Sequence, residues 1–174
     1  PRNYVSFLLW RPDMLARLCS HALEAGIERE FVANIIRSKR LALDASQLGL
    51  ADWPWPFRVQ TFGQFRLLRG GAPVTFSGKA QRRPLDLLRA LIAYGGREVP
   101  EERITEALWP RIDGDSAHRS FTTTLHRLRK LLGEDRALQL SEGKLTLDGR
   151  YVWVDTWALE QVTARIEQAL RRPR

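Results

Sequence analysis

The spacing of apolar side chains alternates between a period near 3.6 and a period of two, which predicts both helices and strands. Residues 12–25 and 28–41 follow the helical period. Pro12 and Gly26 stand where a helix favours them, at its first position and just past its end. We therefore predict a small helical hairpin within residues 1–50. The side chains expected to face inward are Leu15, Leu18, Cys19 and Ala22 in the first helix and Phe31, Val32, Ile35 and Ile36 in the second.

The stretch ADWPWP at residues 51–56 breaks this pattern. Its two prolines disfavour helix at their own positions and at the residues before them. We predict a linker at 51–56 between the hairpin and a second domain at 57–154. Trp53 and Trp55 within it are candidates for docking on a neighbouring domain rather than swinging freely.

Residues 57–76 alternate with a period of two around Gly63 and the Gly70–Gly71 pair, which predicts a small antiparallel sheet. Two helices are predicted next, at 80–94 and 100–109, with Pro100 at the first position of the second one. Their expected inward side chains are Leu85, Leu88, Leu91 and Ile92, then Ile104, Ala107 and Leu108. Trp109 is expected in the core.

The period returns to two at residues 138–147, where Leu138, Leu140, Leu145 and Leu147 alternate about Glu142–Gly143 and predict a β-hairpin. Residues 151–154 can add a strand. Asp155 is a plausible N-cap for a last helix, residues 155–174, and this helix is expected to bury Leu159, Val162 and Ile166.

The helix predicted for residues 115–133 has two faces of opposite character. At 100° per residue its apolar side chains fall within about 40° of one line; they are Ala117, Phe121, Leu125, Leu128 and Leu132. The opposite side carries cations, hydroxyls and an imidazole, from Ser116, Arg119, Thr123, His126, Arg127 and Lys130. Thr122 and Arg129 lie on one flank of this side. The one acid, Asp115, stands where an N-cap is expected.

A solvated helix face usually alternates acids with bases, because such pairs at i,i+4 stabilise it. Here no carboxylate offsets the cations. A polyanion would offset them, and Arg, Thr and His can reach the bases and phosphates of a DNA groove. A basic face that is simply solvated is about as good an interpretation of this helix taken alone.

Composition narrows the classes of function. The chain has 174 residues, 28 basic and 20 acidic, a net charge of +8, and most of the excess lies in residues 51–136. This balance favours an anionic partner. A single cysteine excludes an internal disulfide and is typical of a cytoplasmic protein. No apolar run is long enough for a membrane span, so no membrane partner is expected.

The residues also argue against catalysis. No His or Cys pair has the spacing of metal ligands, and the sequence has no nucleophile elbow and no P-loop. We therefore expect no enzyme, no cofactor and no metal. The chain starts with Pro1 and ends with Arg174, so we expect a fragment of a longer protein.

The element order, a sheet, two helices, a basic helix and a hairpin, is that of an α+β winged helix-turn-helix. Five groups of residues carry a closer resemblance: Leu87–Leu88, Gly95–Gly96–Arg97 with Val99, Leu108–Trp109–Pro110, Leu128–Arg129–Lys130 and Leu132–Gly133. Over about 90 residues the sequence resembles the OmpR/PhoB-class DNA-binding domain. The version it is most similar to is that of the Streptomyces antibiotic regulatory proteins.

This resemblance implies a bacterial transcriptional activator that binds double-stranded DNA. It places Arg119, Ser120, Thr122, Thr123, His126 and Arg127 toward the major groove, with Arg129 and Lys130 nearer the DNA backbone. The family's wing carries Gly-Tyr near its turn, whereas this chain has Ser141 to Lys144, which leaves Lys144 as the wing cation. A dimer on repeated half-sites is a further expectation.

The flanking segments carry weaker resemblances. Residues before 50 are similar to the end of the helical repeat array of MalT-like regulators, a resemblance that implies a larger signal-responsive protein. Residues from Asp155 resemble the entry to the antibiotic regulators' activation domain. The loop 111–116 corresponds to a segment that contacts RNA polymerase in some activators, although an ordinary connection is the favoured interpretation. The alternative function is a protein-interaction module, in which the basic helix meets an acidic protein surface without binding DNA.

Overall fold

The computed structural model describes residues 11–43, 52–74 and 82–171. Predictions for residues 1–10, 44–51, 75–81 and 172–174 lie outside the described residues, including the end of the small sheet predicted for 57–76. The described residues form helices and short strands, which confirms the α+β class. In chain order the elements are α1 Pro12–Glu24, α2 Arg29–Lys39, β1 Phe57–Gln60, β2 Arg66–Arg69, β3 Ala72–Pro73, α3 Arg82–Ala93, β4 Val99–Pro100, α4 Glu101–Leu108, α5 Gly114–Leu132, β5 Leu138–Ser141, β6 Lys144–Leu147, β7 Val152–Val154 and α6 Asp155–Arg171, with a 3-10 turn at Asp135–Ala137.

The packing divides the chain into two compact units. Unit 1 comprises Pro1–Gly71 and Trp153–Arg174, and unit 2 comprises Ala72–Val152. This division differs from the predicted one, in which a linker at 51–56 separated the hairpin from everything after it. Trp53 and Trp55 are only 1% and 2% exposed. They share one core with α1 and α2, so residues 52–71 belong with the hairpin.

Unit 1 contains the predicted helical hairpin. Its core is built from Ala16, Cys19, Leu23, Val32, Ile36, Leu41, Leu43, Trp53 and Trp55. Two side chains expected inside are not there: Leu18 is 63% exposed and Phe31 is 47% exposed. The helical period is confirmed, but the buried face of each helix is shifted from the predicted one. In α1 the buried face includes Ala16 and Leu23, and in α2 it is nearer Ile36. β1 pairs with β2 in antiparallel register, Val59 facing Leu67, and also lies beside β7.

α6 is the clearest correction in unit 1. The predicted N-cap residue, Asp155, does begin this helix. The predicted burial of its apolar stripe, Leu159, Val162 and Ile166, is wrong, because these side chains are between 47% and 54% exposed. Leu170 of the same helix is 80% exposed. Among the described residues, the helix contacts mainly β1 and leaves this stripe toward solvent.

Unit 2 packs α3 against α4, α5 and β6. The predicted core residues Leu85, Leu88, Leu91 and Ile92 of α3, Ile104 of α4 and Trp109 are buried as expected, and Leu87 is buried with them. Ala107, also expected inside, is exposed, and Leu108 is half-buried. Pro100 does not open α4; it belongs to β4 and stands just before the helix. β4 pairs with β6, which also pairs with β5, so the predicted hairpin is the larger part of a three-stranded sheet.

Candidate nucleic-acid interface

α5 is defined at both ends by its own residues. The N-cap is Asp113 rather than the predicted Asp115, and its carboxylate accepts a hydrogen bond of 3.0 Å from the Ser116 amide. The backbone and side-chain hydrogen bonds from Ser116 lower the pKa of Asp113. At the other end Gly133 has φ +69°, and its amide donates to the Arg129 carbonyl over 2.8 Å. This left-handed position suits glycine and ends the helix.

One face of α5 lies in the core of unit 2. The five predicted apolar residues, Ala117, Phe121, Leu125, Leu128 and Leu132, are all buried. Thr124 is buried with them, and its hydroxyl donates 2.7 Å to the Ser120 carbonyl. This hydrogen bond satisfies the hydroxyl inside the core. The helix is therefore fixed in rotation about its axis, which decides the residues it leaves outside.

The opposite face is exposed and carries no acid. Arg119, Thr122, Thr123, His126, Arg127 and Lys130 are all exposed. Five of them, all but Thr122, lie within a sector of about 100°, and Arg119 and Lys130 are separated by about 16 Å along the axis. The Arg119 guanidinium donates to the Ser116 hydroxyl over 3.0 Å. We refer to Arg119, Thr123, His126, Arg127 and Lys130 as the basic stripe.

Two of the predicted site residues of α5 are only partly exposed. Arg129 is half-buried, and its guanidinium donates to the Leu138 carbonyl over 2.9 and 3.3 Å, which connects α5 to the start of β5. Ser120 is also half-buried, on the side of the helix. The structure thus engages Arg129 inside unit 2, whereas Lys130, one position later, extends outward.

The β5–β6 turn presents Lys144. Glu142 and Gly143 have φ of +50° and +70°, as a two-residue type I′ turn requires. Ser141 pairs with Lys144 across this turn, and Lys144 is exposed. The Gly143 carbonyl accepts a 2.8 Å hydrogen bond from the Glu101 amide, so the turn is held against the first residue of α4.

A cleft beside the first turns of α5 was not anticipated. It has a volume of about 530 Å³, and its lining includes Glu101, Glu102, His118, Glu142 and Lys144. His118 Nδ1 lies 2.5 Å from a carboxylate oxygen of Glu101. Because these two residues are separated by 17 positions and lie in different helices, no periodicity in the sequence could have paired them. The cleft makes the surroundings of Lys144 partly acidic.

The loop before α5 is exposed from Arg111 to Asp113, and Ile112 is 44% exposed. Residues 114–116 of the predicted loop already belong to α5. The Ile112 amide donates to the Trp109 carbonyl over 3.2 Å, so the connection is short and turned back on α4.

Among the described residues, no group of three His, Cys, Asp or Glu side chains could hold a metal ion. None of the described helices is long and apolar enough to cross a membrane. The basic stripe offers guanidinium, ammonium, imidazole and hydroxyl donors to an anionic partner. Phosphate and carboxylate groups are the partners that such donors prefer.

No protein-family model, no curated protein and no solved structure matches the chain.

Proposed function

We propose that unit 2 is a winged helix that binds double-stranded DNA, with α5 in the major groove and the β5–β6 turn as the wing. The observation that carries this proposal is the basic stripe, four of whose five side chains can carry positive charge and which has no acid among them. The helix's other face is buried, so the stripe is the face available to a partner. A helix of this width fits the major groove.

In this proposal Arg119, Thr122, Thr123, His126 and Arg127 contact the bases, and Lys130 and Lys144 contact phosphates. Ser120 lies at the edge of this surface. The chain would then act as a cytoplasmic transcription regulator in bacteria, and activation of transcription is the direction that the family resemblance favours. The net charge of +8 supports the same partner, because a positive field accelerates association with a polyanion.

The test is selection of a binding sequence from random duplexes by the full chain, followed by titration of the selected duplex at several salt concentrations. We expect a Kd that increases with salt, with a log-log slope of about 0.9 for each phosphate neutralised. Replacing Arg119, His126 and Arg127 together by alanine should abolish the sequence preference. Each base contact is worth about 1–3 kcal/mol.

A matched control is Arg17→Ala, which removes an exposed arginine from α1, in unit 1. This variant should keep both the selected sequence and the salt slope within error. Full affinity of the triple variant for the selected duplex would refute the proposal.

The acidic cleft favours a second candidate. Glu101, Glu102 and Glu142 lie close to Lys144, and carboxylates repel phosphates. A protein partner with acidic residues opposite the basic stripe and basic residues opposite the cleft would fit both surfaces. In that case a gel-shift assay with bulk duplex DNA, run at two salt concentrations, should show no salt-sensitive shift. This result separates the two candidates.

A further inference from the structure

Unit 1 contains a second cleft, of about 490 Å³, that takes no part in the proposed DNA contact. One wall is α2, and the others are the Trp53–Trp55 segment, Arg58 of β1 and the Gly70–Gly71 turn. Its volume is in the range of pockets that bind small molecules. Three arginines line it, Arg29, Arg37 and Arg58, and we call it the arginine cleft.

Two of these arginines are only weakly engaged by the protein. Arg29 Nη2 lies 3.4 Å from the Asp52 carboxylate, and both side chains are more than half exposed. Arg37 Nη1 donates to the Asn34 side-chain oxygen, also over 3.4 Å. Strong charge-assisted hydrogen bonds are shorter, about 2.7–2.9 Å. Both guanidinium groups can therefore turn toward a better acceptor at little cost.

Arg58 is held differently. It is half-buried, its Nη2 donates to the Trp53 carbonyl over 3.0 Å, and its Cζ lies 5.6 Å from the centre of the Trp153 ring. Burial lowers the pKa of Arg58, and the charge of Asp52 acts in the opposite direction. An anion in the cleft would act in the same direction as Asp52 and offset the loss of hydration.

Small and apolar residues form part of the remaining lining. Ala33 of α2, with its small side chain, and Pro54 both line the cleft. On the outer side Gly70 and Gly71 contribute only backbone; a Cβ at either position would meet nothing within 4 Å. A flat apolar group could therefore enter the cleft and lie against Pro54 while a charged group faces the arginines.

We propose that the arginine cleft binds a small organic anion, whose carboxylate or phosphate is held by Arg37 and Arg58 and whose apolar body rests on Ala33 and Pro54. A guanidinium fits either oxyanion with two parallel hydrogen bonds. Asp52 and Glu30 also line the cleft, and the Asp52 carboxylate would compete with the ligand's oxyanion for the positive charge of the arginines. This assignment gives unit 1 a ligand of its own and does not depend on DNA binding by unit 2.

The test uses the full chain and four probes. Phenyl phosphate and benzoate carry both an oxyanion and an apolar ring, whereas inorganic phosphate and benzyl alcohol each carry one of the two. Binding is measured by calorimetry and by tryptophan fluorescence, since Trp53 and Trp55 line the cleft. We expect phenyl phosphate or benzoate to bind about tenfold more tightly than either inorganic phosphate or benzyl alcohol. Which of the two aromatic anions binds more tightly shows whether the cleft prefers a phosphate or a carboxylate.

Variants then locate the site. Arg37→Gln and Arg58→Gln should each weaken binding about tenfold, the usual effect of losing one charge-assisted hydrogen bond. Asp52→Asn should strengthen it, because a competing carboxylate is removed; a purely structural role for Asp52 would not give that sign. Arg17→Gln, outside the cleft, should change nothing.

The proposal is overturned if neither aromatic anion binds saturably up to about 10 mM, an affinity weaker than most specific sites show. It is also overturned if Arg37→Gln binds as tightly as Arg17→Gln. Because Arg37 is exposed, its replacement should leave the fold intact even where Arg58→Gln does not. Both readouts use protein without DNA, so their result is separate from that for the basic stripe.

Discussion

Asp155 shows how one side chain can fix a local structure. One carboxylate oxygen accepts hydrogen bonds from the Thr61 and Phe62 amides over 2.7 and 3.0 Å. The other accepts from the Thr61 hydroxyl over 2.6 Å and from the Thr156 amide over 2.9 Å. Burial acts to raise the pKa of Asp155, but the hydrogen bonds from Phe62, Thr61 and Thr156 outweigh it and lower the pKa. The carboxylate thus connects the start of α6 to the chain after β1.

Asp155→Asn should destabilise the protein by about 1–2 kcal/mol near pH 7, because an amide nitrogen cannot accept these hydrogen bonds. Since the pKa is lower in the folded state, this stabilisation is present above the unfolded value, near 3.9, and is lost as the pH falls through the folded value. Denaturant unfolding from pH 7 to pH 2 should show the difference from the wild type shrinking below about pH 4.

The control for that series is Asp135→Asn, which changes an exposed carboxylate in the 3-10 turn of unit 2. Its stability curve should run parallel to the wild type over the same pH range. A difference between wild type and Asp155→Asn that stays constant down to pH 2 would contradict a role for the charged carboxylate.

Arg129 and Lys130 are adjacent, but replacing each by alanine should affect the free energy of unfolding differently. Arg129→Ala removes the hydrogen bonds to the Leu138 carbonyl and should lower the free energy of unfolding by about 1–2 kcal/mol. Lys130→Ala should leave stability within about 0.5 kcal/mol. On the DNA proposal, it should also reduce the log-log salt slope of binding by about 0.9. Equal stabilities for the two variants would contradict a stabilising role for the Arg129–Leu138 hydrogen bonds.

Individual helices differ in how well their patterns predicted them. The core face of α5 was confirmed in full because its apolar residues keep one period over 19 positions. The cap was misplaced by two residues, since Asp113 and Asp115 are both good N-cap residues and only the fold selects one. β4 was missed because two residues, Val99 and Pro100, become a strand only through pairing with β6.

α6 shows a different limit of sequence patterns. The spacing of Leu159, Val162 and Ile166 correctly indicates an amphipathic helix, but a period cannot say whether the rest of the structure covers that face. In unit 1 it does not. The same limit explains Leu18 of α1: the helix has one wide apolar side, and only tertiary packing decides which part of it is buried.

Because the apolar stripe of α6 is exposed, it should contribute little to the free energy of unfolding. Leu159→Ser and Ile166→Ser should each change the free energy of unfolding by less than about 1 kcal/mol, because little apolar area is lost from the core. Leu125→Ala, on the buried face of α5, should cost about 2–5 kcal/mol. Chemical denaturation of the three variants checks this. A loss at Leu159 as large as that at Leu125 would show that the stripe is covered in solution.

At the scale of the whole molecule, the main difference from the sequence concerns the Trp53–Trp55 segment. The alternation of Trp and Pro at 53–56 indicated a linker, because proline disfavours regular secondary structure. In the structure the two rings, 6.5 Å apart, lie in the core of unit 1 beside Cys19. Irregular backbone can still bury large side chains. The chain later returns to unit 1 at Trp153, a long-range connection that no local pattern encodes.

Two separate cores predict that Cys19 reports on unit 1 alone. Its thiol is the single thiol of the chain, it is buried, and burial raises its pKa, so a disulfide reagent should react only when unit 1 opens. Trp53→Ala removes a large side chain from the same core and should accelerate the reaction by about tenfold or more, since Trp→Ala in a core costs about 3–5 kcal/mol. Leu128→Ala, an equally buried change in unit 2, should lower overall stability while leaving the Cys19 rate near the wild-type value. Equal acceleration by both variants would mean that the two cores unfold as one cooperative structure.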